Sequence, residues 1–144
     1  MRLQSHLLNK ITVSNPEYST SPSIDELRAM DPQRLASVPN FSVSRDKKGT
    51  VEWLEPVDLR GIDDICRFVD FDDDSRFVDV YPNLRAPPVG SQLNHPARIS
   101  LNLSARKKKP TAEALKRTTD SFGGTFVSFD KNIWKFEVPN FNSE

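Results

Sequence analysis

Period-two alternation of apolar and polar residues recurs along this 144-residue chain, helical spacing is confined to a few short stretches, and no internal repeat is present. These three observations predict an α+β, sheet-dominated domain. The length suits one domain able to bury most of its apolar surface.

In chain order, residues 1–10 show weak periodicity and read as an N-terminal arm or linker, with the domain proper over residues 11–144. Ile11 to Pro22 is rich in Ser, Thr, Asn and Pro, which favour extended or turn structure. Ser23-Ile-Asp-Glu26 has the form of a capping box, and Ile24, Leu27 and Met30 follow at helical spacing. Asp31-Pro32 starts a second short helix carrying Leu35 and Val38, with aspartate as cap and proline at its first position. The period then changes. Phe41 and Val43, then Val51 and Trp53, alternate with polar residues around Asp46-Lys-Lys-Gly49, which predicts a hairpin. Pro56 to Leu59 and Ile62 to Ile65 predict a turn or short helical element. Arg67–Val69 and Phe77–Tyr81 predict strands flanking an acidic loop. Arg85 to Asn94 is a Pro- and Gly-rich loop, in which Pro87-Pro88 makes a rigid connection.

Ala97, Ile99, Leu101 and Leu103 alternate as a further strand. Ala112, Leu115, Thr119 and Phe122 share one helix face, and Gly123 or Gly124 ends that helix in a left-handed turn. Thr125–Phe129 and Trp134–Val138, joined through Asp130 to Ile133, predict a closing hairpin. In its last strand Trp134, Phe136 and Val138 oppose Lys135, Glu137 and Pro139, the signature of a half-buried strand. A strand with an apolar face so near the end of the sequence predicts that this segment belongs to the core. The expected total is roughly seven strands and two or three helices.

Composition excludes several function classes. No apolar run approaches the ~20 residues that span a bilayer, so no membrane insertion is expected. Leu7-Leu8 is too short for the apolar core of a signal peptide. The single cysteine, Cys66, excludes an internal disulfide framework and reads as a small packed residue. Two histidines and one cysteine do not complete an ordinary zinc site. Asp70-Phe-Asp-Asp-Asp74 imitates a calcium loop, but Ser75 stands at the glycine position and Tyr81 at the terminal glutamate position. No metal and no cofactor are expected. Twenty basic and twenty acidic residues cancel, yet they are segregated. Asp63 to Asp79 holds seven aspartates against Arg67 and Arg76, and Arg106 to Arg117 holds six basic residues against Glu113.

Several landmarks occur together in one order: Asn15-Pro-Glu-Tyr18, Phe41-x-Val43-x-Arg45 with Gly49-x-Val51, Pro56-Val-Asp-Leu59, and Val78-x-Val80-Tyr81-Pro82. Pro87-Pro-Val-Gly90-x-x-Leu93-Asn94-x-Pro96-Ala97, Gly124-x-Phe126-Val127-Ser128-Phe129-Asp130 and Trp134-x-Phe136-x-Val138 complete the set. Over Val13 to Phe141 the chain resembles the nucleoporin autopeptidase family, the C-terminal domain of GLFG-repeat nucleoporins. The resemblance implies a larger and a smaller β-sheet, sandwich-like and flanked by helices. It also implies location at the nuclear pore complex, where the domain anchors upstream Phe-Gly repeats for nucleocytoplasmic transport.

Self-cleaving members end this strand in His-Phe-Ser and cut before the serine. The attack needs a hydroxyl after the scissile bond and a histidine to assist proton transfer. Aligned on Trp134, Phe136 and Val138, the resemblance places Asn140 at the histidine and Asn142 at the serine. A carboxamide serves as neither base nor alcohol nucleophile, so no catalytic residue and no cleavage are expected. Ser143 is one residue late, which turns an extended side chain to the opposite face; cleavage near Phe141-Asn142-Ser143 is the alternative. Uncleaved relatives end close to this point, which makes Glu144 an expected terminus.

The resemblance then implies docking. The expected partners are a β-propeller nucleoporin of the cytoplasmic face and a short scaffold-nucleoporin segment that enters an apolar groove. The partner-binding residues so implied are Phe141 and the loop cations Arg106, Lys107, Lys108 and Lys109, whose charge acts mainly on encounter rate and specificity. The four-residue basic run is also compatible with weak RNA contact, although no stacking aromatic adjoins it.

Overall fold

The computed structural model describes residues 9–74 and 76–142. The strands among them are β1 (Tyr18–Ser21), β2 (Ser42–Arg45), β3 (Gly49–Trp53), β4 (Val69–Phe71), β5 (Val78–Val80), β6 (Ala97–Asn102), β7 (Thr125–Asp130) and β8 (Ile133–Val138). The helices are α1 (Ile24–Arg28), α2 (Pro32–Leu35), α3 (Ile65–Phe68) and α4 (Ala112–Ser121). The larger sheet has the order β1-β2-β3-β6-β8-β7, and β4-β5 form the smaller one. Every pairing between these strands is antiparallel. The fold is α+β and mostly sheet, as the alternation predicts.

The alternation also fixes which face is buried. Ala97, Ile99 and Leu101 of β6 point inward, and Trp134 and Phe136 of β8 pack beside them. Ile99 stands opposite Phe136, and Leu101 opposite Trp134. Removing each large side chain from water contributes roughly 1.5–3 kcal/mol. The hairpin from Thr125 to Val138 forms as predicted, with a register shift between Phe126 and Ser128 that bends its edge strand.

Local chemistry sets the helix ends. Ser23 and Glu26 make the reciprocal capping box, and Asp31 accepts from the Arg34 N–H with Pro32 at the first position. Gly123 adopts φ +81° after α4, the left-handed turn that stops that helix.

The structure departs from the sequence reading in several places, and its four helices exceed the two or three expected. Tyr18–Ser21 is an eighth strand, not an unassigned extended segment. Its Tyr18 ring meets Phe71 edge-on at 5.8 Å, and its hydroxyl accepts from the Phe71 N–H at 2.9 Å, contacts 53 residues apart in sequence. Arg67 and Phe68 are helical, not the start of a strand, because the Asp64 carboxylate accepts from the Cys66 N–H and opens α3; pairing starts at Val69. Phe122 lies just past α4 and not on its face. Asn9, within the expected arm, donates to the Leu27 carbonyl at 2.7 Å and so ties the chain to the end of α1.

Candidate functional site

The segment after β8 is held by one side chain. Asn94 is fully buried in the loop between β5 and β6. Its Oδ1 accepts from the Phe141 N–H at 2.7 Å, and its Nδ2 donates to the Pro87 carbonyl at 2.7 Å and to Asn142 Oδ1 at 2.8 Å. A backbone donor on one side and a backbone acceptor on the other leave its carboxamide a single orientation. The loop is itself anchored on both sides of Leu93. Trp53 Nε1 donates to the Leu93 carbonyl, and the Leu93 N–H donates to the Tyr81 hydroxyl, both at 2.9 Å. Burial pushes the Tyr81 pKa up to about 12, so that phenol stays neutral. Phe141 is half-buried, its ring 6.0 Å from that of Trp53.

Asn140 and Asn142 are neighbours in a tight turn, and the Asn142 N–H donates to Asn140 Oδ1 at 3.0 Å. The sequence reading places the family's attacking residue at Asn142 and its histidine at Asn140. What the described residues present there is two carboxamides, each hydrogen-bonded and neither basic. Ser143, the alternative nucleophile, lies outside the described residues.

Beside this segment runs an apolar groove of about 480 Å³. Its floor is Ile99 and Leu101 of β6 with Trp134, Phe136 and Val138 of β8; its walls are Leu115 and Thr118 of α4 and Val78 of β5; Phe141 closes one end. Phe77 and Phe122 stand at its rim, about half exposed. Trp134 is held in the floor by an Nε1–H bond of 3.2 Å to the buried Thr119 hydroxyl, which in turn donates to the Leu115 carbonyl at 2.7 Å. A second pocket of about 550 Å³ shares Val78, Phe122, Val138 and Phe141 with the groove and adds Asp79 and Asn140.

The basic loop after β6 is less uniform than its sequence. Lys107 and Lys108 are exposed. Lys109 folds back, its ammonium donating to the Ser104 carbonyl at 3.0 Å and to the Arg106 carbonyl. Arg106 is part-buried and lines the groove at the Pro110 end. The sequence reading did not single out Arg76, Phe77, Asp79 or Phe122 as site residues. Nor did it give Asn94 a role, because a buried polar group inside a turn-rich loop leaves no periodic signal.

Fold and site together define a class: an α+β domain whose strand β8 borders an apolar groove and whose Phe141 and Asn142 are clamped beside it. The chain belongs to the nucleoporin autopeptidase family; the family described as Nucleoporin2: Nup98-96 autopeptidase S59 matches residues 15–143. It is 36% identical over 140 residues to nucleoporin NUP145 of Chaetomium thermophilum, an alignment covering 88% of this chain and 8% of that protein. The chain thus corresponds to a small part of a much longer relative. Among solved structures it is similar to a mutant of the Chaetomium thermophilum Nup145N APD fused to Nup145C N. That match has 34% identity and a TM-score of 0.73, covering 86% of this chain and 94% of the other. A chain of the yeast heterotrimeric Nup82-Nup159-Nup116 complex matches with 27% identity and a TM-score of 0.75, covering 90% and 99%.

Proposed function

We propose that this chain is a non-cleaving docking domain of a nucleoporin, located at the nuclear pore complex, where it anchors Phe-Gly repeats by gripping other nucleoporins. The observation that carries the reading is the clamped tail beside an open apolar groove. Asn94 holds Phe141 and Asn142 in place, and Asn140 and Asn142, which the family resemblance sets at the cleavage positions, carry no hydroxyl and no base. Binding energy comes from aromatic floor and rim residues that a partner segment desolvates. The partners inferred are a β-propeller nucleoporin, met by Lys107 and Lys108, and a short nucleoporin segment in the groove. The assemblies named for the relatives, Nup82-Nup159-Nup116 and Nup145N fused to Nup145C N, support nucleoporin partners of this kind.

The test is the intact mass of a version extended past residue 144, after prolonged incubation near neutral pH. One uncut species is expected. Introducing Asn140→His with Asn142→Ser is expected to yield a product ending at Phe141, because the clamp already holds the bond to be cut. Scission of the unsubstituted version next to Phe141, Asn142 or Ser143 overturns the proposal.

A further inference from the structure

Thr111 ends the run Arg106-Lys107-Lys108-Lys109-Pro110 and is the N-cap of α4. It is exposed, and its backbone is extended at φ −88° and ψ 159°. Its Oγ1 accepts from the Ala114 N–H at 3.0 Å, a bond that uses a lone pair of the oxygen and not its proton. Lys108 and Lys109 stand three and two residues before it, with Arg106 and Lys107 just upstream. A kinase with an acidic substrate cleft selects a hydroxyl that follows closely on cations, by charge complementarity. Lys107 and Lys108 are exposed, and neither is in an ion pair among the described residues. The neighbouring hydroxyls are placed differently. Ser104 precedes the cations and sits in a turn, where its carbonyl holds the Lys109 ammonium and the Arg106 N–H donates to Leu103. Thr118 and Ser121 lie within α4 and donate to its carbonyls.

We propose that Thr111 is a phosphorylation site for a basophilic serine/threonine kinase, and that its phosphate draws the loop cations onto the start of α4. In the transfer, the Thr111 hydroxyl proton passes to the kinase's catalytic aspartate and Oγ1 bonds to the γ-phosphorus of ATP. The bond from that phosphorus to the β-phosphate oxygen breaks, and ADP leaves. The product carries about −1.5 to −2 charge at neutral pH. Its oxygens replace the hydroxyl as acceptors for the first N–H groups of α4, which lack partners within the helix, and the helix dipole favours an anion there. Set against four loop cations, that charge cancels about half of the positive surface beside the groove. The site of modification stands apart from the docking reading; only its effect on an acidic partner rests on that reading.

The experiment treats the whole domain with ATP, magnesium and cyclic-AMP-dependent protein kinase, and maps the product by mass spectrometry. One phosphate, on Thr111, is expected. Lys108→Ala is expected to lower kcat/KM for the transfer about tenfold. Thr111→Asn, which keeps the cap, is expected to take up no phosphate. In a phosphorus NMR titration the second pKa of the phosphate is expected below the usual value of about 6, because N–H groups and cations favour the dianion. Replacing Lys107 and Lys108 by alanine is expected to return it part of the way. The phosphorylated domain is expected to leave a sulfated-polysaccharide column at lower salt than the parent. Phosphate at Ser104 or elsewhere, or none at all, overturns the site. Phosphate on Thr111 with an ordinary pKa, or with unchanged column retention, overturns the charge switch. Each readout works without a nucleoporin partner, so failure here is distinct from failure of the docking reading.

Discussion

Asn94 is the residue on which the site turns, because its fully buried side chain makes three hydrogen bonds. Replacing it with alanine leaves the Phe141 N–H and the Pro87 carbonyl without their partner. Each such orphan costs roughly 1–3 kcal/mol when it stays buried. Asn94→Ala is therefore expected to lower stability by about 2 kcal/mol in urea titration. The Phe141 amide is expected to exchange with solvent faster than the amides of β6. Unchanged exchange at Phe141 rejects the clamp. The sequence shows Asn94 only as one letter in a family pattern; what it holds, 47 residues later, is visible only once the loop is folded. Lys109 teaches the same lesson in reverse. In sequence it is one of four equal cations, but its ammonium is spent on the carbonyls of its own loop.

Elements were legible where local chemistry and burial agree. Helix α4 has Thr111 as cap and a glycine stop, β6 keeps its alternation from end to end, and β8 keeps it as far as Phe136. They were illegible where a distant partner decides. β1 exists because β2 and Phe71 receive it, and the small polar residues that follow its buried Tyr18 carry no apolar stripe. α3 is too short for periodicity to reveal, and only the Asp64 cap explains its start. That aspartate also accepts from the Ser14 N–H at 3.0 Å, joining the N-terminal segment to α3. Burial raises its pKa, but the bonds from Ser14 and Cys66 outweigh this and hold it below the usual range. A carboxyl with a lowered folded pKa stabilises fully above its unfolded value of about 3.9, and that contribution fades as pH falls through the folded pKa. Asp64→Asn, which keeps the acceptor and removes the charge, is expected to cost about 0.5–1 kcal/mol near neutral pH. The gap from the parent, followed by urea midpoints, is expected to close as pH drops below about 4. A gap that stays constant on acidification excludes the charge as its cause.

At the scale of the whole molecule, the zero net charge hides an unequal use of its two signs. The acidic loop is largely consumed within the fold. Asp73 pairs with Arg45 at 2.7 Å and its carbonyl takes the Lys48 ammonium, while Asp72 and Asp74 hold Arg76. Lys107 and Lys108 border the same pocket as Asp73 and Asp74, yet neither is in an ion pair among the described residues. The molecule therefore presents a small positive surface beside its groove although its charges sum to zero, and such a surface steers an acidic partner more than it adds affinity. Reversing Lys107 and Lys108 to glutamate tests this without disturbing the loop, since Lys109 keeps its carbonyl bonds. Binding of the β-propeller nucleoporin proposed above as a partner is expected to slow, chiefly in association rate. The defect is expected to be largest near 0.01 M salt, where charges are felt over about 30 Å, and to shrink near 1 M, where the range is about 3 Å. An association rate that is unchanged at low salt removes these two lysines from the interface and leaves the apolar groove to carry docking alone.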